Sequence, residues 1–238
     1  KLKFNIGKNL FICYSPERED PGNKQYKTID VPKIISGHTK NCLEVGKVFY
    51  SSIFKKLEPV SSTAAAEFTK LLENIYRSIN IALINELAII FNKMDIPIYE
   101  VLDAAGTKWN FLQYSPGLVG GHCISVDPYY LAHKAESLGY YPEVILSGRR
   151  VNSRMDRFVA SKAIKYMIQH KVDVNGSKAL ILGIAFKENC PDIRNTKVAG
   201  IVHEQEDFGL DVDVCDPLAD KKEVQEELNI ELLESPML

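Results

Sequence analysis

The sequence predicts an α/β chain: a helical central domain built on one long spine helix, then a Rossmann-like βαβ unit that is cut short. Three observations carry this. Residues 62–93 keep apolar positions at helical spacing with almost no glycine or proline, well beyond the usual globular helix of about 11–12 residues. From Lys178 to Phe186 the chain is almost continuously apolar, as buried parallel strands are. A helical pattern over 197–207 and a strand pattern over Leu210–Cys215, ended by Asp216-Pro217, then complete strand, helix and strand.

In chain order, residues 1–60 mix short strands and turns. Asn9–Tyr14 reads as a strand, and Ser15-Pro16-Glu17-Arg18-Glu19-Asp20-Pro21-Gly22 as a polar loop bounded by proline and glycine. Asn41–Phe54 has helical spacing. After the spine helix, a short helix is expected over Pro97–Ala105, with Asp95 near its cap and Gly106 at its end. A loop from Thr107 to Cys123 carries Trp109, the single tryptophan. Asp127-Pro128 reads as N-cap and first residue of a helix running to about Leu138, with Gly139 as its stop. Further helices are expected over Pro142–Asn152 and Arg154–His170, and a turn at Asn175-Gly176. This organisation gives three segments: 1–60, 61–153 and 154–238.

The chain has 238 residues, 45% of them hydrophobic, and a net charge of -2. A real core is therefore affordable, and no global basic excess points to nucleic acid or an anionic membrane as partner. No apolar run reaches the ~20 residues of a membrane helix. Five widely spaced cysteines (Cys13, Cys42, Cys123, Cys190, Cys215), without a CxxC pair, argue against a disulfide framework and a zinc site and fit a reducing cytoplasm. The chain opens without methionine and ends without a recognisable finishing element, which reads as a fragment at both ends.

The most informative stretch is Gly120-Gly121-His122-Cys123-Ile124-Ser125-Val126-Asp127-Pro128-Tyr129-Tyr130. Two glycines remove side chains that would hold a substrate off the backbone. A thiol beside a histidine and near a helix N-terminus is favoured as thiolate, the nucleophilic form; the alternative is a buried structural cysteine. On the spine helix, Lys70, Asn74, Arg77 and Ser78 share one face. They form either a solvated stripe or, through Lys70 and Asn74, an oxyanion-stabilising edge of a cleft. Glu17 is a loop carboxylate just after a strand, weak as a signal on its own. In the C-terminal unit, Gly183 ends one strand and Asp216 the next, which mimics a dinucleotide site. The intervening loop has no further glycine, so GxGxxG is absent. Lys187 and Arg194 stand there instead, either as diphosphate ligands or as part of a solvated loop in which Asp192 faces Arg194. Twelve Asp and Glu against two Lys from Glu204 to Glu234 read as a solvated face.

Taken together, Ser15-Pro-Glu-Arg with Pro21-Gly22, Lys70-x-x-x-Asn74, Gly120-Gly-His-Cys-Ile-x-Val-Asp127, and Phe186-Lys187 with Asp192-x-Arg194 resemble the UDP-glucose/GDP-mannose dehydrogenase family. The His122 form of the cysteine motif with Val126-Asp-Pro-Tyr-Tyr-Leu131 is similar to the branch that oxidises UDP-N-acetylhexosamines. The tract from Phe186 to Thr196 resembles the bacterial Vi-type capsule and O-antigen members. The resemblance implies a cytoplasmic bacterial enzyme of surface-polysaccharide synthesis that uses NAD as cofactor and a UDP-sugar as substrate. It implies a homodimer through the long helix. The C6 alcohol would be oxidised in two steps through a thiohemiacetal and thioester on Cys123. Lys70 and Asn74 would stabilise oxyanions, and Asp127 and Glu17 would position or deprotonate water. Arg18, Gly120, Gly121, His122 and Lys187 would contact substrate and Arg194 the cofactor, while Arg149 or Arg150 would reach a neighbouring subunit's site. Ser125 stands where relatives often carry proline or glycine, a departure that bears only on fine substrate contacts. Of the family's NAD-binding domain only a last strand and the Ser-Pro-Glu-Arg loop are expected, and the UDP-binding domain should stop after its second strand. The expectation is weak or absent NAD binding and no turnover by this polypeptide alone. Two alternatives remain: a non-catalytic dimerising module with a degenerate nucleotide domain, and a 2-hydroxyacid or 6-phosphogluconate type dehydrogenase that needs no cysteine nucleophile.

Overall fold

The computed structural model describes residues 3–19 and 25–236. The Asp20-Pro21-Gly22 end of the expected polar loop lies outside them. The chain divides into two compact units, Lys1–Asn74 and Ile75–Leu238.

In the first unit, β1 (Cys13–Tyr14), β2 (Lys33–Gly37) and β3 (Leu57–Pro59) form a sheet in that order. β1 runs antiparallel to β2 with Tyr14 opposite Ser36, and β2 runs parallel to β3 with Ile34 opposite Glu58. The crossover from β2 to β3 is α1, Lys40–Ser51. Thr39 caps it, its hydroxyl accepting from the Cys42 amide at 3.2 Å. Gly37 makes the tight entry possible, because a Cβ there would sit 2.2 Å from the Leu43 amide nitrogen. Of the short strands expected here, only Asn9–Tyr14 has expected bounds. The structure has three, the first only two residues long. β2 escapes sequence reading because Lys33 to Ser36 are all buried, so no polar–apolar alternation marks it.

The 31-residue α2, Thr63–Lys93, runs through the division between the units. It ends with Asp95 in the left-handed conformation (φ 54°) and the Ile96 amide bonded to the Phe91 carbonyl at 3.0 Å, a Schellman closure. Asp95 thus terminates α2 rather than capping α3 (Ile98–Gly106), which Pro97 precedes. Then follow α4 (Cys123–Ser137), α5 (Glu143–Ser153) and α6 (Met155–Gln169). α5 lies against α2 where Gly148 faces Ala82 and Ile79.

The C-terminal βαβ is β4 (Lys178–Leu182), α7 (Val198–Asp207) and β5 (Asp211–Cys215), with parallel register from Lys178 opposite Asp211 to Leu182 opposite Cys215. β4 is shorter than its apolar run, because Gly183 (φ 93°) turns the chain away. It is also half-buried rather than buried, with Leu182 70% exposed. The unit does not stop at β5. Asp220 caps α8 (Lys221–Leu228), and Leu232 bridges Val214. Ile184, Ile193, Val202, Val214, Val224 and Leu232 form its core. No helix among the described residues is long and apolar enough to cross a membrane.

Candidate functional site

The cysteine motif is arranged differently from its sequence reading. α4 begins at Cys123, with His122 preceding it and Pro128 inside. Asp127 is therefore not a cap. It is buried in the second turn, four residues from Cys123 and on the same face. Pro128, the sixth residue of α4, has no amide to give the Ile124 carbonyl four residues earlier. Cys123 is exposed, while Cys42, Cys190 and Cys215 are buried. Its sulfur thus sits at the first residue of a helix, the positive end of the backbone dipole.

The loop in front of this thiol is held by two sets of contacts. Asn85, fully buried on α2, donates to the Gly117 carbonyl at 3.0 Å and accepts from the Gly117 amide at 2.9 Å. It also donates to Asn152 of α5 at 2.9 Å, and Asn152 donates to the Ser78 carbonyl at 3.0 Å. Ser78, expected on a polar stripe with Lys70, Asn74 and Arg77, belongs to this buried lock, whereas Arg77 is exposed. Further along, the Gly121 amide donates to the Arg194 carbonyl at 2.9 Å, and Asn195, left-handed at φ 52°, donates its side-chain amide to the Gly121 carbonyl at 3.2 Å. A Cβ on Gly120 would lie 2.6 Å from Phe186 and 2.9 Å from the Asn195 carbonyl oxygen; one on Gly121 (φ 75°) would lie 2.8 Å from the Phe186 ring. In this structure the glycine pair lets two protein loops dock, rather than opening the backbone to a ligand. Ser125 donates its hydroxyl to the Gly121 carbonyl and closes the turn.

The partner loop, residues 183–197, is itself rigidly held. Asp216 accepts from the Ile184 and Ala185 amides on one oxygen and from Leu218 and Ala219 on the other. Burial pushes this carboxyl up, and the four amides more than offset it, leaving it below the usual carboxylate range. Asp192 receives the Arg194 guanidinium, Nε at 2.9 Å and 3.0 Å from its two oxygens. The Arg194 hydrogen bond holds Asp192 low, with a smaller contribution from His122. Asp192 holds Arg194 high, with smaller contributions from Cys123 and Cys190. His122 and Cys123 therefore lie within electrostatic reach of this ion pair. Lys187 is half-buried in the same loop.

The remaining candidates belong to the first unit. Burial raises the Glu17 carboxyl, but the hydrogen bond and charge of Lys33 (Nζ at 3.1 Å) with the Arg18 and Glu19 amides bring it below its ordinary value. Arg18 is clamped on Glu73 of α2 at 2.6 and 3.1 Å and on the Pro32 carbonyl at 2.8 Å. This anchors the Ser-Pro-Glu-Arg loop to the helical turn that carries Lys70, half-buried, and Asn74, buried. The structure thus groups Gly120, Gly121, His122, Cys123, Asp127 and Arg194 in one unit, and Glu17, Arg18, Lys70 and Asn74 in the other. Sequence reasoning missed Asn85 and Asn152. The available signal was at Asn85, an amide among apolar neighbours on α2; Asn152 stands among polar ones and carries no such mark.

With this geometry in view, comparison with known proteins is decisive. Residues 64–154 match the UDP-glucose/GDP-mannose dehydrogenase family central domain, and residues 180–237 match the UDP binding domain of the same family. The chain belongs to the UDP-glucose/GDP-mannose dehydrogenase family. Protein CapL of Staphylococcus aureus is 49% identical over 98% of this chain and 55% of its own length. The UDP-N-acetyl-D-glucosamine 6-dehydrogenase of Pseudomonas aeruginosa is 48% identical over 99% of the chain and 56% of its own length. The chain thus spans about half the length of these curated relatives. Among solved structures, UDP-D-ManNAc dehydrogenase from Pyrococcus horikoshii superposes with a TM-score of 0.82 at 28% identity, covering 91% of this chain and 51% of that one.

Members of this family are NAD-dependent. A dinucleotide diphosphate needs several backbone N–H groups at a glycine-rich strand-to-helix turn. The β4–α7 connection offers one glycine, Gly183. Its arginine, Arg194, is engaged by Asp192, and Asp216, where a ribose-binding acid would stand, is filled by four amides. The described residues do not fit NAD. Nor does any group of three His, Cys, Asp or Glu among them suit a metal ion.

Proposed function

We propose that this chain supplies the cysteine-bearing and UDP-sugar-binding portion of an NAD-dependent UDP-N-acetylhexosamine 6-dehydrogenase of bacterial surface-polysaccharide synthesis. UDP-N-acetylglucosamine is the preferred substrate class and UDP-N-acetylgalactosamine its nearest competitor. The observation that carries the reading is Cys123, an exposed thiol at the first residue of α4 on a doubly anchored loop. The names of the Pseudomonas aeruginosa and Salmonella typhi relatives, both UDP-N-acetyl-D-glucosamine 6-dehydrogenases, support the substrate.

NAD supplies the hydride acceptances when bound; this chain's part is confined to the sulfur, the oxyanion and the water. The Cys123 sulfur adds to the C6 aldehyde carbon, and the thiol proton passes to the aldehyde oxygen. At the thioester level, water adds to the carbonyl, the C–S bond breaks, and sulfur departs as thiolate with the uronic acid released. A thiolate suits both steps because it adds reversibly and leaves readily. Lys70 and Asn74 stabilise the oxygen anion, Asp127 and Glu17 orient or deprotonate the water, and Arg18, His122 and Lys187 border the sugar nucleotide. Arg194, expected at the cofactor, is instead engaged by Asp192 and offers its carbonyl to the Gly121 amide. A homodimer through α2 is part of this proposal. Phe68, Leu72, Tyr76, Leu83 and Ile90 are exposed at spacings of four and seven, an apolar stripe along one side of the helix.

The test joins the chain to the NAD-binding portion of the Pseudomonas aeruginosa relative and counts NADH per UDP-N-acetylglucosamine consumed. Two per sugar, with turnover lost by roughly 10³-fold or more in Cys123→Ser, is the expected result. One per sugar, or an active Cys123→Ser, would refute the thioester route. The chain alone is expected to produce no NADH.

A further inference from the structure

Away from the cysteine loop, α4 and α5 enclose a cleft of about 320 Å³ lined by Tyr129, Tyr141, Leu146, Arg149, Arg150, Ser153 and Arg154. Tyr129 lies six residues beyond Cys123, about 9 Å along the helix and about a third of a turn around it, so the cleft opens on another side of α4.

Three arginines share this small volume, and among the described residues none makes an ion pair. Arg150 donates only to the Ser147 hydroxyl, at 2.8 Å. Arg149 is the unusual member. Its side chain is buried, the residue 6% exposed, with its guanidinium carbon 5.1 Å from the Tyr129 ring centre. Its Nε and Nη1 atoms have no hydrogen-bond partner. A guanidinium carries its charge permanently, and burying it without an anion is costly; a ring face offsets only part of that cost. An anion in the cleft would supply the missing partner. Arg150 and Arg154 are exposed at the rim, so an entering anion meets two exposed cations before the buried one. The half-exposed rings of Tyr129 and Tyr141 add flat apolar walls.

We propose that this cleft binds a phosphorylated small molecule, its phosphate oxygens taken by Arg150, Arg154 and the buried Arg149, at a site separate from the Cys123 thiol. Guanidinium forks match phosphate oxygens in pairs, and the volume admits a diphosphate with a planar group against tyrosine.

Phenylglyoxal modification of the 238-residue chain, read by peptide mass spectrometry with and without pyrophosphate, locates the site. Pyrophosphate should slow modification at Arg150 and Arg154 and leave Arg157, exposed on α6, unchanged. The double variant R150Q/R154Q should weaken pyrophosphate binding by roughly tenfold or more, with an unaltered urea midpoint. Both substitutions are at exposed positions, so folding does not confound them. Protection of neither arginine, or a double variant that binds as tightly as the parent, overturns the proposal. So does a third result, in which both arginines are inert at high protein concentration and become reactive on dilution. A carboxylate surface of a second copy would then be the occupant. Because the test reads no dehydrogenase activity, its failure and that of the thioester route are separable.

Discussion

The protein contains two parallel crossovers that differ mainly in the length of one connection. In the first unit β2 passes into α1 through residues 38–39; in the second β4 passes into α7 through residues 183–197. The short connection is all structure: Gly37 touches the backbone of α1 and Thr39 caps it. The long one has room for chemistry. It carries Phe186, Lys187, Asp192, Arg194 and Asn195, and it docks against the loop that presents Cys123. Similar scaffolds therefore give different capacities. A strand-to-helix turn of two residues spends every polar group on itself, whereas a longer loop held at its base by Asp216 can meet a second loop.

The largest effect expected from breaking this comparison is at Gly37. A Cβ there meets main-chain atoms of Leu43 and Cys42 that cannot yield, so Gly37→Ala should cost about 3 kcal/mol or more. Hydrogen exchange of the β2 amides should show the loss, and no side-chain substitution should rescue it. Gly121→Ala meets only the Phe186 ring, though at a positive φ. It should cost about 2 kcal/mol, and Phe186→Ala should recover part of that in a double-mutant cycle. Equal, additive costs would show that the two loops do not depend on each other.

Acid should act next on the longer connection, through Asp216. The Asp216 carboxyl is lower in the folded chain than when unfolded. Its stabilisation is therefore fully present above the ordinary carboxylate pKa and is lost as pH falls through the depressed folded value. Urea midpoints measured from neutral pH downward should drop in that acidic range. Asp216→Asn should lower stability at pH 7 by about 2 kcal/mol, since one oxygen becomes a donor facing donors, and should flatten the acid limb. The smallest effect is at Thr39. Thr39→Ala removes one cap and should cost about 1 kcal/mol, read as a shift in urea midpoint.

How much of this was legible in sequence depended on whether the signal was local. α1 to α3 and α5 to α7 fall close to their expected bounds because a 3.6-residue period survives in each. β2 and β3 were invisible, being three to five residues long and lacking alternation. α8 hid in an acidic tract in which Val224 and Leu228 alone mark an apolar side, although Asp220 is a clear cap. Asp127-Pro128 misled because that pair usually opens a helix; here the turn built by Gly121 and Ser125 starts α4 five residues earlier, at Cys123 rather than Pro128. Cys123 was legible through its surrounding motif. The Asn85–Asn152 lock was not, because its partners stand 67 positions apart and nothing in either neighbourhood announces the other.

The docking of Gly120 and Gly121 on Phe186 and Asn195 has a consequence for recombination. The contact joins a stretch inside the central-domain match, 64–154, to one inside the UDP-binding match, 180–237. A graft that exchanges either segment between relatives at the apparent seam between 154 and 180 inherits one half of a fitted pair. Segments that look like separable modules along the sequence are, at this point, a single heritable part, and a chimera that carries residues 120–121 must carry residues 186–195 with them.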